Sequence, residues 1–159
     1  MARIVIADAG PLIAFAGIDG LSILQKLFFE VCIVESVRDE CLAKSGADAQ
    51  KIELAVKESW LAIKPAGKER HPLSPSLGFG ESDSIRFALK TPEKALLIMD
   101  DRLARRYALR KGLNIVGTVR LLDLAEQRGL IESAEECIQE MSDSGYRVSS
   151  EILKKIRAG

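Results

Sequence analysis

Short apolar runs punctuate the chain. Between them lie stretches where apolar positions recur every three or four residues. Residues 4–7 (Ile-Val-Ile-Ala), 31–34 (Val-Cys-Ile-Val) and 95–99 (Ala-Leu-Leu-Ile-Met) are uninterrupted, which is how a strand buried on both faces reads. Residues 60–64 and 114–116 form weaker candidates of the same kind. Helical spacing follows each of them. Pro11 suits a first helical turn, and Leu12, Ile13, Phe15 and Ala16 give a short helix ending near Gly17. Leu21, Leu24, Leu27 and Phe28 give a second. Ser36 and Asp39 form a capping-box pattern for the helix after the second strand. Further helices are expected over residues 47–58, 82–90, 102–111 (closed by Gly112), 119–128, 133–141 and 149–157. Residues 65–80 hold three of the five prolines and three glycines, so they read as the principal loop. Strands alternating with helices predict a parallel sheet covered on both faces through right-handed crossovers. The expected fold is a three-layer α/β/α sandwich with four to five strands. It forms a single domain over 1–159, with the C-terminal helices at about 133–157 packed on it or on a partner.

Composition narrows this picture. A chain of 159 residues with 47% hydrophobic and 29% charged residues suits one globular domain with a full core. Acids and bases balance at 23 each, which argues against a generally basic nucleic-acid binder but not against a local basic stripe. No apolar run approaches the ~20 residues of a membrane span, and residues 4–7 are too short for a signal peptide. A cytoplasmic protein is therefore expected. Cys32, Cys41 and Cys137 are odd in number and widely spaced, so they suggest neither a disulfide frame nor a zinc site. They read as small buried hydrophobes.

The chemistry lies in four acids at element boundaries. Asp8 follows the first strand and Asp101 the fourth, while Glu40 and Asp83 fall early in helices. In a parallel sheet the carboxyl ends of strands and the amino ends of the next helices share one edge, where ligands bind. Taken singly, each acid has an ordinary structural reading as a cap, a first-turn acid or a solvated carboxylate. Taken jointly, four carboxylates on one edge repel, and a hard divalent ion such as Mg²⁺ is the natural counter-charge. Such a site activates water and binds phosphodiester oxygens. Glu81 competes with Asp83, and Asp100 with Asp101. Asp101 is preferred because it directly precedes the arginine-bearing helix, whereas the residues alone leave Asp83 and Glu81 open. Thr118, after the fifth strand, offers a hydroxyl at the same edge. His71, the one histidine, is read as a loop residue.

Residues 102–111 separate by face. Leu103, Ala104, Tyr107 and Ala108 form an apolar stripe, and Arg102, Arg105, Arg106 and Arg110 lie mostly outside it. The helix starts at Asp101, so Arg102 and Arg105 are expected near the acid edge, and Arg86 adds a charge one turn beyond Asp83. Arginine forks suit phosphate. With aromatics at 5%, backbone recognition should outweigh base stacking.

These segments resemble the PIN-domain nucleases, in particular the VapC-like toxin ribonucleases of prokaryotic toxin–antitoxin pairs. The resemblance rests on the first strand with Asp8-Ala9-Gly10-Pro11, on Val37-Arg38-Asp39-Glu40-Cys41, on Gly80-Glu81-Ser82-Asp83-Ser84-Ile85, and on Leu96-Leu97-Ile98-Met99-Asp100-Asp101-Arg102. It implies a parallel α/β/α sandwich, Mg²⁺ or Mn²⁺ dependence and endonucleolytic cleavage of RNA. It also implies a quartet of Asp8, Glu40, Asp83 and Asp101 with Asp8, Asp101 and Asp83 on the metal, a homodimer, and a small antitoxin partner. The chain departs from the pattern at Gly10, where many members carry Ser or Thr. That departure keeps a second reading open, a catalytically weak or inactive module that binds RNA or protein.

Overall fold

The structure is a computed structural model that describes residues 3–43, 46–65, 67 and 71–147. Five strands, β1 (Arg3–Ala7), β2 (Val31–Val34), β3 (Leu61–Lys64), β4 (Lys94–Ile98) and β5 (Asn114–Val116), make one sheet in the order β3-β2-β1-β4-β5. All neighbours run parallel, with Ala7 opposite Ile98 and Ile98 opposite Val116. Helices fill every crossover: α1 (Ala9–Gly17), α2 (Leu21–Phe28), α3 (Glu35–Leu42), α4 (Ala47–Lys57), α5 (Phe79–Lys90) and α6 (Arg102–Arg110). After β5 come α7 (Thr118–Gln127) and α8 (Ala134–Asp143). The expected sandwich is observed, with five strands.

The alternation of side chains along each strand divides the core in two. Val5, Ala7, Leu96 and Ile98 face one layer with Leu12, Phe15, Leu24, Leu121 and Ile138. Ile6, Leu97 and Met99 face the other with Ile85, Ala88, Ala104 and Ala108. β1 and β4 are thus buried on both faces, which accounts for their unbroken apolar sequence. The chain winds outward from β1 in one direction through β2 and β3. It then returns to β4 on the other side. The crevice between the carboxyl ends of β1 and β4 is therefore the topological switch point, the usual ligand edge of such sheets.

Most predicted elements agree with the observed ones to within two residues at either end. α5 begins three residues earlier than predicted, at Phe79, because Gly80 enters its first turn instead of ending the loop. Ser36 does not cap α3. The helix begins at Glu35 with no side-chain cap, and the Ser36 hydroxyl donates instead to Asp83 Oδ2 at 2.6 Å. Asp39, its expected partner, pairs with Arg38. The predicted 149–157 helix lies outside the described residues. Among the described residues no single helix is long and apolar enough to cross a membrane. Cys32 and Cys41 are buried free thiols, and Cys137 is half-buried. Burial, aided by Glu40 and Asp8, pushes the Cys41 thiol up to about 12, so it stays protonated and inert.

Candidate active site

β1 delivers Asp8 to the switch point. It stands at the N-cap position of α1, yet its side chain makes no capping bond. It is 93% buried, at 7% exposure. Burial raises its carboxyl from 3.8 to about 7. The Ala9 N–H opposes this, and the charges of Glu81, Glu40 and Asp100 add to it. A buried carboxylate with acidic neighbours and no cation is costly.

Glu40 and Glu81 approach from α3 and α5. Glu40 Oε1 accepts the Gly80 N–H at 3.1 Å. A side chain at position 80 would run into that same oxygen, so glycine is what lets the carboxylate rest on the start of α5, where the helix dipole favours it. Partial burial raises Glu40, with Asp83 adding to the shift and the Gly80 N–H opposing it. Glu81 accepts the Gly78 N–H at 2.9 Å. Its carboxyl is raised first by burial, against the pull of the Gly78 N–H, and then by the neighbouring Asp101 and Glu40.

The two competing pairs divide their duties differently from the sequence expectation. Asp83 is as buried as Asp8, at 9%, but its Oδ1 meets the Arg86 guanidinium at 3.2 Å and its Oδ2 takes the Ser36 hydroxyl. Arg86, expected to offer charge to RNA, is itself buried. Its other end donates to the His71 carbonyl, so it is spent inside the fold. Asp101 caps α6 through the Ala104 N–H at 3.0 Å. Asp100 accepts three hydrogen bonds, with its Oδ1 taking the Thr118 N–H at 2.8 Å and its Oδ2 taking the Thr118 hydroxyl at 2.6 Å and the Tyr146 hydroxyl at 2.5 Å. Thr118 therefore reaches the edge but acts on Asp100. Tyr146 was missed from sequence, and nothing local to it signals a partner 46 residues away.

Asp8 thus lies within electrostatic range of Glu81, Glu40 and Asp100, and Glu81 within range of Asp101 and Glu40, while Asp83 acts on Glu40. Among the described residues, no three His, Cys, Asp or Glu side chains converge as a ready-made metal-binding group. The donors nevertheless suit a hard divalent ion in kind. They are all oxygen, no cation among the described residues pairs with Asp8, and Glu81 and Asp101 lie close together. Mg²⁺ needs only one or two carboxylates directly, with waters completing its shell.

Arg102 and Arg105 both flank this edge. Two adjoining hollows share Asp100, Arg102, Tyr146 and Arg147. One of about 540 Å³ reaches Gly10 and Asp101, and the other, of about 720 Å³, runs between α6 and α7. A Cβ at Gly10 would meet nothing within 4 Å, so the missing hydroxyl at that position leaves open space.

Residues 4–158 match the model of a family described as DUF3368, PIN domain. Among solved structures the chain is similar to a PilT N-terminus domain protein from the hyperthermophilic archaeon Sulfolobus solfataricus P2. The identity is 16%, over 77% of this chain and 92% of that one, with a TM-score of 0.49. No curated protein matches the chain.

Proposed function

We propose a nuclease reading from one premise: this chain belongs to the PIN-domain family DUF3368. PIN domains are generally nucleases and typically use divalent metal ions. On this reading the protein is a metal-dependent endoribonuclease that hydrolyses RNA phosphodiesters. The likeness to VapC-like toxins extends the proposal to a toxin that acts as a homodimer and is silenced by a small antitoxin. The observation that carries the nuclease part is Asp8, a buried carboxylate held at the switch point among other acids, with no cation among the described residues to neutralise it.

Asp8, Glu81 and Asp101 would hold Mg²⁺ or Mn²⁺. Glu81 takes the place in this set that the sequence reading gave to Asp83, because Asp83 is already neutralised by Arg86. When bound, the ion supplies a Lewis acid for a phosphoryl oxygen and a more acidic water. The protein's own groups do the rest. The Ala9 N–H fixes Asp8, and the Gly80 N–H fixes Glu40 through Oε1. Glu40 Oε2 is then the free oxygen to accept a proton from an attacking water. Its upward shift by burial and by Asp83 suits it to that work.

The test is cleavage of structured and unstructured RNA by the full chain in Mg²⁺ or Mn²⁺ against EDTA. Cleavage confined to the metal arms supports the reading, and no cleavage with either ion overturns it. In that second outcome the alternative, a module that binds RNA or protein without cutting, takes over. The absence of a ready three-ligand group among the described residues favours that alternative.

A further inference from the structure

The groove between α6 and α7 has features that the acid edge leaves unexplained. Its walls carry Arg102, Arg105 and Arg106 from α6, Arg120 from α7, and Arg147 from the segment after α8. On α6 the three arginines sit at i, i+3 and i+4 and so share one face. Arg102, Arg106, Arg120 and Arg147 are exposed, and none forms an ion pair among the described residues. Arg105 is half-buried and donates to the Met99 carbonyl at 3.2 Å, which fixes one nitrogen of its guanidinium and leaves the others to the groove. Among the described lining residues only Asp100 and Asp123 oppose this charge, two carboxylates against five guanidinium groups. The chain as a whole is neutral, so this excess is concentrated in one place.

We propose that this groove is a track for the phosphodiester backbone of single-stranded RNA, laying several successive phosphates against arginines from three separate elements and leading the strand to the acid edge. The ligand class rests on the nuclease reading above. Continuity favours RNA over an acidic protein segment. Asp100 and Arg102 line both the groove and the neighbouring hollow that contains Gly10 and Asp101. A linear polyanion that fills the groove therefore arrives next at the carboxylates. An acidic peptide gains nothing by continuing there. Tyr146 is the one aromatic in the groove, and its hydroxyl is committed to Asp100. Recognition is thus of phosphate and carries little base preference.

The test is fluorescence anisotropy of a labelled 2′-O-methyl oligoribonucleotide, which the protein cannot cleave, bound to the full chain in EDTA over a salt series. Arg106→Ala and Arg120→Ala should each weaken binding several-fold for every sequence tried. Each should also lower the slope of log K against log salt by about 0.7. Arg110→Ala, on the same helix but outside the groove, should change neither. The proposal is overturned if the groove variants bind like wild type, if Arg110→Ala weakens binding equally, or if poly-glutamate at equal charge displaces the RNA as well as unlabelled RNA does. The two readings fail separately. Groove-dependent binding without cleavage in either Mg²⁺ or Mn²⁺ removes the nuclease reading alone, and cleavage with unaltered binding by the variants removes the track alone.

Discussion

Asp8 and Asp83 are two aspartates buried to nearly the same depth at the same edge of one sheet, yet the protein treats them oppositely. Asp83 receives a guanidinium and a hydroxyl. Asp8 receives a backbone N–H and the repulsion of Glu81, Glu40 and Asp100. A buried carboxylate is ordinarily paired or neutralised. Asp83 follows that rule and reads as structure, tying α3 to α5. Asp8 breaks it, and violations of this kind concentrate where chemistry is done. The difference separates two residues that sequence pattern ranks together.

The largest expected effect is on turnover. Asp8→Asn should lower Mg²⁺-dependent RNA cleavage by at least about 100-fold while circular dichroism stays native. An active variant would break the contrast. Next comes stability on the other side of the comparison. Arg86→Met strands Asp83 in the interior and should cost about 3–5 kcal/mol in urea unfolding. A loss under about 1 kcal/mol would mean that Asp83 does not depend on its guanidinium.

The third effect is the pH dependence of the metal-free protein. Asp8 keeps its proton in the folded state up to about 7 but releases it near 3.8 when unfolded. Between those values the unfolded state binds fewer protons, so stability falls as pH rises and levels off above 7. Without metal, Asp8→Asn should therefore be more stable than wild type at pH 8, by at most about 4 kcal/mol. The gap should close below pH 4. A gap that does not vary with pH would place the effect elsewhere. The smallest effect sharpens the contrast by control. Ser84, fully buried on α5, has a hydroxyl with no hydrogen-bond partner among the described residues. Ser84→Ala should gain about 1 kcal/mol and leave cleavage untouched, as expected of an unsatisfied polar group without a functional role.

The sheet was legible because its strands are buried on both faces, and unbroken apolar runs such as 31–34 and 95–99 mean little else. The edge was legible for the same reason, since parallel topology fixes where Asp8 and Asp101 emerge. What each acid does there was not legible. Choosing among Asp83, Glu81, Asp100 and Asp101 depends on Arg86, Ser36, Thr118 and Tyr146. Of these, only Arg86 and Thr118 are near their partners along the chain or carry a local signal. Ser36 resembles a cap until Asp83, 47 residues away, takes its hydroxyl. Arg86 reads as a surface cation until the His71 carbonyl and Asp83 bury it. The start of α5 was obscured because Gly78 and Gly80 read as loop, whereas Gly80 is there to admit Glu40.

The central claim is that the missing counter-charge at Asp8 is a divalent cation. The direct measurement is the shift in thermal midpoint produced by Mg²⁺ or Mn²⁺ at pH 8, for the full chain and for Asp8→Asn. The account predicts a concentration-dependent rise in the wild-type midpoint that the variant loses. Equal shifts in both proteins, or none in the wild type with either ion, would contradict it.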